Sequence, residues 1–297
     1  MAAPRPVPLT DDAARPQDDG LFGPQSVTWR AYASPSTSLG IAAAVLLQMI
    51  HPDVVRMIDQ ASNVRTDPAG RAAATSLYGT TITYGDTATA ERAGEVLRRI
   101  HSHRQAVDPI TGETYSADRP DLLLWVHGTL TWAVLAACRQ WGPVFTAAEQ
   151  DRFVDEQRVS ARLVGIDPDV APRTVAELDA YMAGMRPRLA YVTSTRFMRE
   201  MIVPPKLPFT PAGLAQLALT RAAVDLLPDD IQDLYGFRWT WLNHLLVRGT
   251  SALIMKSAQD KVDYGRMIAE LRHQTDVHAF GSAAPKLRAK REAAARG

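Results

Sequence analysis

Cysteine is nearly missing from this chain: Cys138 is the only one in 297 residues. One thiol rules out an intramolecular disulfide, and it rules out zinc or iron–sulfur sites built from several thiolates. Charge of one sign is missing too. The 33 basic and 32 acidic side chains leave a formal charge of +1, so there is no broad field to attract nucleic acid or an anionic membrane. The longest apolar runs, Leu39 to Ile50 and Leu122 to Cys138, fall short of the roughly 20 residues that span a bilayer. Both are expected to be buried helices, with no integral membrane span. The stretch from Met1 to Gly20 lacks the apolar core of a secretory signal, and with the single thiol this points to the cytoplasm. There is no Gly-x-Gly-x-x-Gly after a strand, no phosphate-binding loop, no Gly-x-Ser-x-Gly elbow and no His-Glu-x-x-His pair. Nucleotide-binding, serine-hydrolase and zinc-protease chemistries therefore lack their usual scaffolding. No period repeats, which argues against a solenoid.

What the chain does have is helix. Hydrophobic residues make up 46% of it, enough for a sizeable core. From residue 25 onward Ala, Leu, Arg and Glu recur three and four apart, with few alternating β-branched runs. The pattern predicts an all-α fold, a single-domain bundle of about ten helices, with boundaries marked by caps and prolines. Ser38 reads as an N-cap, Pro52 and Pro68 as first-turn prolines, and Asp118-Arg-Pro-Asp121 as the start of a long apolar helix that stops at Trp141-Gly-Pro143. Thr146 with Glu149 and Thr174 with Glu177 have the spacing of capping boxes. Later helices are expected over Pro211 to Leu226, Pro228 to Tyr235, Trp241 to Ala258 and Val262 to His273. The β-branched stretch Gly79 to Gly85 is short enough to continue or connect helices. Residues 1–24 read as a disordered lead-in, 25–280 as the helical domain, and 281–297 as a charged tail.

Few polar groups interrupt the apolar helices, and those few are the candidates for chemistry. Arg71 and Thr75 stand four apart on one helix face. On its own such a pair is an arginine bound to a carboxylate and a threonine bonded back to its helix. His101 follows Val96-Leu-Arg-Arg-Ile100 at the edge of an inward face, where a neutral imidazole suits iron or a structural hydrogen bond. His127 lies among Leu124, Trp125, Val126 and Leu130. Burial favours its neutral form, which either ligates iron or bonds within the core. His51, before Pro52, caps broken backbone or faces a cavity, and capping is the simpler reading. Glu156 reads as part of a charged face, paired with Arg152, beside an Asp155–Arg158 pair. His244, His273 and His278 show no ligand spacing and are assigned no chemistry.

Several segments in order resemble the haem-containing oxygenase family that includes latex clearing protein and the MpaB-type oxygenases. They are Leu46-Leu-Gln-Met-Ile-His51-Pro-Asp-Val54, Asp67-Pro-Ala-Gly-Arg71-Ala-Ala-Ala-Thr75, Arg98-Arg-Ile-His101, Tyr115-Ser-Ala-Asp-Arg-Pro-Asp-Leu-Leu-Leu-Trp-Val-His127, and Glu156 through Gly165-Ile-Asp-Pro-Asp-Val-Ala-Pro172. The resemblance implies a helical bundle around one haem b, with His101 as the proximal iron ligand and Arg71 and Thr75 on the distal side. His127 and His51 are further residues for the haem pocket. Where rubber oxygenases carry a lysine able to take the sixth iron site, this chain has Ala74, so the distal site is expected to be open or water-filled. The implied reaction is oxygen insertion or oxidative carbon–carbon cleavage of a hydrophobic substrate, isoprenoid or lipid, by O2. Two other readings stand beside it: a haem carrier or sensor without turnover, and a cofactor-free helical protein.

Overall fold

Two apolar helices cross at the centre of the molecule, α2 (Ser36–Met49) and α6 (Pro120–Trp141). Most of α2 is buried, from Leu39 to Met49, and only the side that carries Ser38, Ile41, Val45 and Gln48 is exposed or half-buried. The two backbones meet at Gly40: a Cβ there would lie 2.8 Å from the Ala133 carbonyl oxygen and from the Val134 Cα. A glycine is what lets the axes approach so closely. The structure, a computed structural model, describes residues 18–203, 210–237 and 241–259.

Around this pair sit α1 (Val27–Ala33), α3 (Pro52–Ala61), α4 (Pro68–Tyr84), α5 (Thr87–Ser102), α7 (Ala147–Val164), α8 (Val175–Met185), α9 (Thr193–Ile202), α10 (Pro211–Asp225), α11 (Asp229–Leu234) and α12 (Trp241–Gln259). The fold is all-α as expected, with twelve α-helices among the described residues. The exception is a small antiparallel hairpin of β1 (Gln105–Val107) and β2 (Thr114–Ser116). It is pinned to α3: Arg56 pairs with Asp108 at 3.0 Å, Arg119 pairs with Asp53 at 2.7 Å, and the Tyr115 hydroxyl donates to the Asp53 carbonyl.

Several expectations meet corrections. Ser38 is not an N-cap: α2 begins at Ser36, and the Ser38 hydroxyl donates to the Pro35 carbonyl. Thr146 and Glu149 form the complete capping box, but Glu177 turns to the Arg173 N–H, so only the Thr174 half of the second box is made. Of the two readings of the β-branched stretch, the structure has the continuing one: α4 runs unbroken through Gly79 to Tyr84. At 22 residues α6 is long and apolar enough to span a bilayer, contrary to the reading of its run as too short, yet 61% of its most apolar window is buried within the protein. Within the stretch expected to be a disordered lead-in, Asp18 accepts from the Thr87 N–H at the start of α5, and Leu21 packs against Ile82 and Leu163. The expected helix over Val262 to His273, with His273, His278 and the tail 281–297, lies outside the described residues, as does the start of the lead-in, 1–17.

One feature of the packing positions the site. The C-terminal part of α4, Thr81 to Tyr84, is buried, and the Tyr84 hydroxyl donates to the Trp29 carbonyl. The amino-terminal half is different: Ala72, Ala73, Thr75 and Ser76 are exposed. α5, by contrast, seats tightly on α7, because a Cβ on Gly94 would fall 2.9 Å from the Leu163 carbonyl oxygen.

Candidate functional site

α4 opens with Asp67, whose carboxylate accepts from the Gly70 N–H, and with Pro68 in its first turn. This start fixes where Arg71 emerges, one turn in. Burial, and then the charge of Arg104, pull the Arg71 pKa down, and no carboxylate pairs with its guanidinium among the described residues. A partly buried cation beside a second cation, with no acid to balance them, is costly unless an anion or a dipole arrives. The carboxylate partner expected of an isolated Arg71 is therefore absent among the described residues. Thr75 behaves as an isolated threonine would: it is exposed, and its hydroxyl donates to the Arg71 carbonyl at 3.0 Å.

His101 lies in the last turn of α5. Its Nδ1 is buried and without a hydrogen-bond partner. Burial first, and then the nearby charge of Arg71, lower its pKa, against a smaller opposing pull from Asp118. The imidazole is thus held neutral, the form that ligates metal, with a nitrogen that nothing in the protein satisfies. The structure brings Arg71 and His101 together from two helices, although 30 positions separate them in sequence.

The other histidines differ from this pair in their charged neighbours. His51 is buried against Trp125, ring centroids 6.0 Å apart. It precedes α3, but its side chain makes no capping bond, so the capping reading fails, and its Nδ1 also lacks a partner. Burial lowers its pKa, and the charges it feels come from Asp53, Asp121, Arg119 and Arg188 rather than Arg71. His127 sits on α6 one turn beyond Leu123 and Leu124. Burial alone lowers its pKa, to about 4, with no charged neighbour contributing.

Glu156 has a structural post. It accepts from the N–H groups of Val27 and Thr28 and from Arg152, as the expected Arg152 pairing required; the Asp155–Arg158 pair is also formed. Reading the sequence missed its capping of α1, since nothing local links positions 128 and 129 residues apart. His244 pairs with the buried Asp225, which Arg248 also contacts at 2.8 Å.

A b-type haem needs one axial imidazole, an apolar bed and a polar edge. His101, with its orphaned nitrogen, fits the first. On α4 the three residues after Arg71 are small, Ala72 and Ala73 exposed and Ala74 half-buried. Among the described residues no three His, Cys, Asp or Glu side chains converge as a metal site, so a single imidazole is what the site offers an iron.

The sequence signature of the family described as ER-bound oxygenase mpaB/B'/Rubber oxygenase, catalytic domain, matches residues 29–255. The chain belongs to this family. It is accordingly an oxidoreductase of the oxygenase class, and the matched span includes Arg71, His101 and His127. Among solved structures, that of latex clearing protein LCP in the closed state aligns with a TM-score of 0.51 at 14% identity, over 86% of this chain and 73% of that one. At this identity the likeness is one of fold. A search of curated protein sequences finds no match. The oxygenase family thus agrees with the order of segments that first singled out the Arg71 and His101 helices.

Proposed function

We propose that this oxygenase is haem b-dependent, with His101 as the iron ligand, and that it oxidises a hydrophobic substrate with O2. The observation that carries the reading is the pairing of a neutral, half-buried His101, its Nδ1 buried and unpartnered, with an acid-free Arg71 on the facing helix. When bound, haem supplies the electron transfer and oxygen chemistry that protein side chains lack.

The chain's own residues have separable tasks. His101 holds iron through a neutral imidazole, and the charge of Arg71 helps keep that imidazole unprotonated. Arg71 presents N–H donors and a positive charge on the side where negative charge develops on oxygen. Ala74 offers no amine to compete for iron. Thr75 already donates to the Arg71 carbonyl, so in this arrangement it steadies the turn that carries Arg71. The apolar side chains of α6, Leu123 and Leu124 among them, provide the surface for a greasy substrate, and His127 is a neutral donor or acceptor within reach of that surface. The single thiol, Cys138, is buried and free, which suits a reducing compartment such as the cytoplasm.

Purified protein supplied with haem should show a Soret band that His101→Ala abolishes or displaces. A colourless wild type, or a band unchanged by His101→Ala, would overturn the reading. The carrier or sensor alternative draws on the Thr75 hydroxyl being turned to its own backbone. Arg71→Ala decides between the two: as an oxygenase residue its loss should suppress O2 consumption in the presence of isoprenoids or lipids while the Soret band remains.

A further inference from the structure

A cleft of about 340 Å3 opens between the start of α6 and the end of α8. Asp121 and Leu124 come from α6, Tyr181, Gly184 and Met185 from α8, and Arg188 from the single 3-10 turn that follows α8, Arg186–Arg188. Neither Arg71 nor His101 lines it. Its walls are held from behind. A Cβ on Gly128 would lie 2.9 Å from Cε1 of Tyr181, so the ring lies directly against α6, where it also meets the buried Trp125 at 6.5 Å between centroids. The backbone that carries Arg188 is fixed too: Leu189 is buried in the core, and the Ala190 N–H donates to the Ile50 carbonyl at 2.9 Å.

Two donors in the lining are uncommitted. The Tyr181 hydroxyl makes no hydrogen bond among the described residues. Burial, and then the charge of Asp121, push its pKa up, so it stays an O–H donor at neutral pH, while the charge of Arg188 acts on it in the opposite sense. Arg188 makes no side-chain hydrogen bond or ion pair among the described residues, whereas Arg186 in the same turn pairs with Asp230 at 2.9 Å. Asp121, the one acid in the lining, is already met by Arg119 through two bonds of 2.7 and 2.9 Å. A guanidinium and a phenol are therefore the open donors at the edge of an apolar bed made by Leu124 and Met185.

We infer that this cleft binds an apolar carboxylic acid, with its carboxylate on Arg188 and Tyr181 and its chain over Leu124 and Met185. Two donors, one of them charged, match the two oxygens of a carboxylate. Asp121 limits the charge that the ligand brings. A single negative charge is balanced by Arg188, while the second charge of a phosphate monoester would face Asp121 with no further cation in the lining. The inference goes beyond the proposed function, and binding of the acid does not depend on haem.

The test is isothermal titration calorimetry of the full-length protein with decanoate, below the concentration at which it forms micelles, beside decanol and decyl phosphate. Decanoate should bind wild type about tenfold more tightly than decanol, the scale of one charge-assisted hydrogen bond. Arg188→Gln should remove that preference, and Tyr181→Phe should reduce it. Gly184→Phe locates the site: Gly184 is exposed and a Cβ there meets nothing within 4 Å, so the fold accepts a side chain that occupies the cleft, and decanoate binding should be lost. Far-ultraviolet circular dichroism checks that the variants are folded. No binding of decanoate, equal affinity for the alcohol, or binding untouched by Arg188→Gln or by Gly184→Phe would overturn the inference. Tighter binding of decyl phosphate would overturn it in favour of a phosphate ester. A protein that binds decanoate in this way but takes up no haem would sink the proposed function and leave this assignment standing.

Discussion

Glu156 holds Thr28 by two bonds, accepting from its backbone N–H at 2.8 Å and from its hydroxyl at 2.7 Å. A carboxylate on α7 thereby caps α1, satisfying donors that a helix amino terminus otherwise leaves bare. Glu156→Ala should cost roughly 1–3 kcal/mol of stability, read from urea denaturation. It should leave the Soret position of the haem-loaded protein unchanged. A shifted band with unchanged stability would mean that Glu156 serves the site instead.

Gly40→Ala tests the crossing of α2 and α6. The new methyl would meet backbone at 2.8 Å, where no flexible side chain can yield, so the helices must part. A loss of about 1–3 kcal/mol is expected, with a lower thermal midpoint. A variant as stable as wild type would show that the crossing is looser than the structure has it.

Acid should weaken the protein, and His127 gives the window. Its folded pKa, about 4, lies below the ordinary value of 6.5. Between those values the unfolded chain takes up a proton that the native state refuses, so stability falls as pH drops from 6.5 toward 4, by up to about 3 kcal/mol. Burial of His51 and His101 acts in the same direction. Glu149 adds a separate loss at lower pH: the Thr146 N–H and Arg30 hold its pKa near 2, so its contribution is present above the ordinary 4.5 and disappears as pH falls toward 2. Urea midpoints at pH 7, 5.5 and 4 should fall in that order, and His127→Gln should flatten the decline. An undiminished slope in the variant would remove His127 as its source.

Asp225 ties α12 to α10 through His244 and Arg248, and its own side chain is only 1% exposed. Asp225→Asn keeps the shape and removes the charge. About 1–3 kcal/mol should be lost, the more exposed cations being rescued in part by water. The measurement is urea unfolding, with proteolysis within α12 rising in parallel. Equal stability of the variant would leave α12 held by apolar packing alone.

The helices were readable where a local signal sufficed: Pro52 and Pro68 in first turns, the Thr146 and Glu149 box, and the stop at Trp141-Gly142. α1 and α9 were not singled out; α1 is short and its cap comes from Glu156, far along the chain. The β1–β2 hairpin was missed because its anchors, Arg56 to Asp108 and Arg119 to Asp53, are tertiary. At the site, Arg71 and His101 were visible as polar interruptions in apolar helix. That they share one neighbourhood, that His51 feels other charges, and that Asp121 and Arg188 wall one cleft depend on how the helices lie against one another, which no spacing along a single helix encodes.

The uneven seating of α4 bears on how the proposed haem would be acquired. The α2–α6 crossing is complete without the half of α4 that carries Arg71, so the interior does not depend on what sits there. Cofactor-free protein should consequently unfold in one cooperative transition, and addition of haem should raise its midpoint by simple mass action as concentration increases. On the proposed reading, synthesis of the polypeptide and haem loading can then be separate events in time, the fold being complete before the pigment arrives.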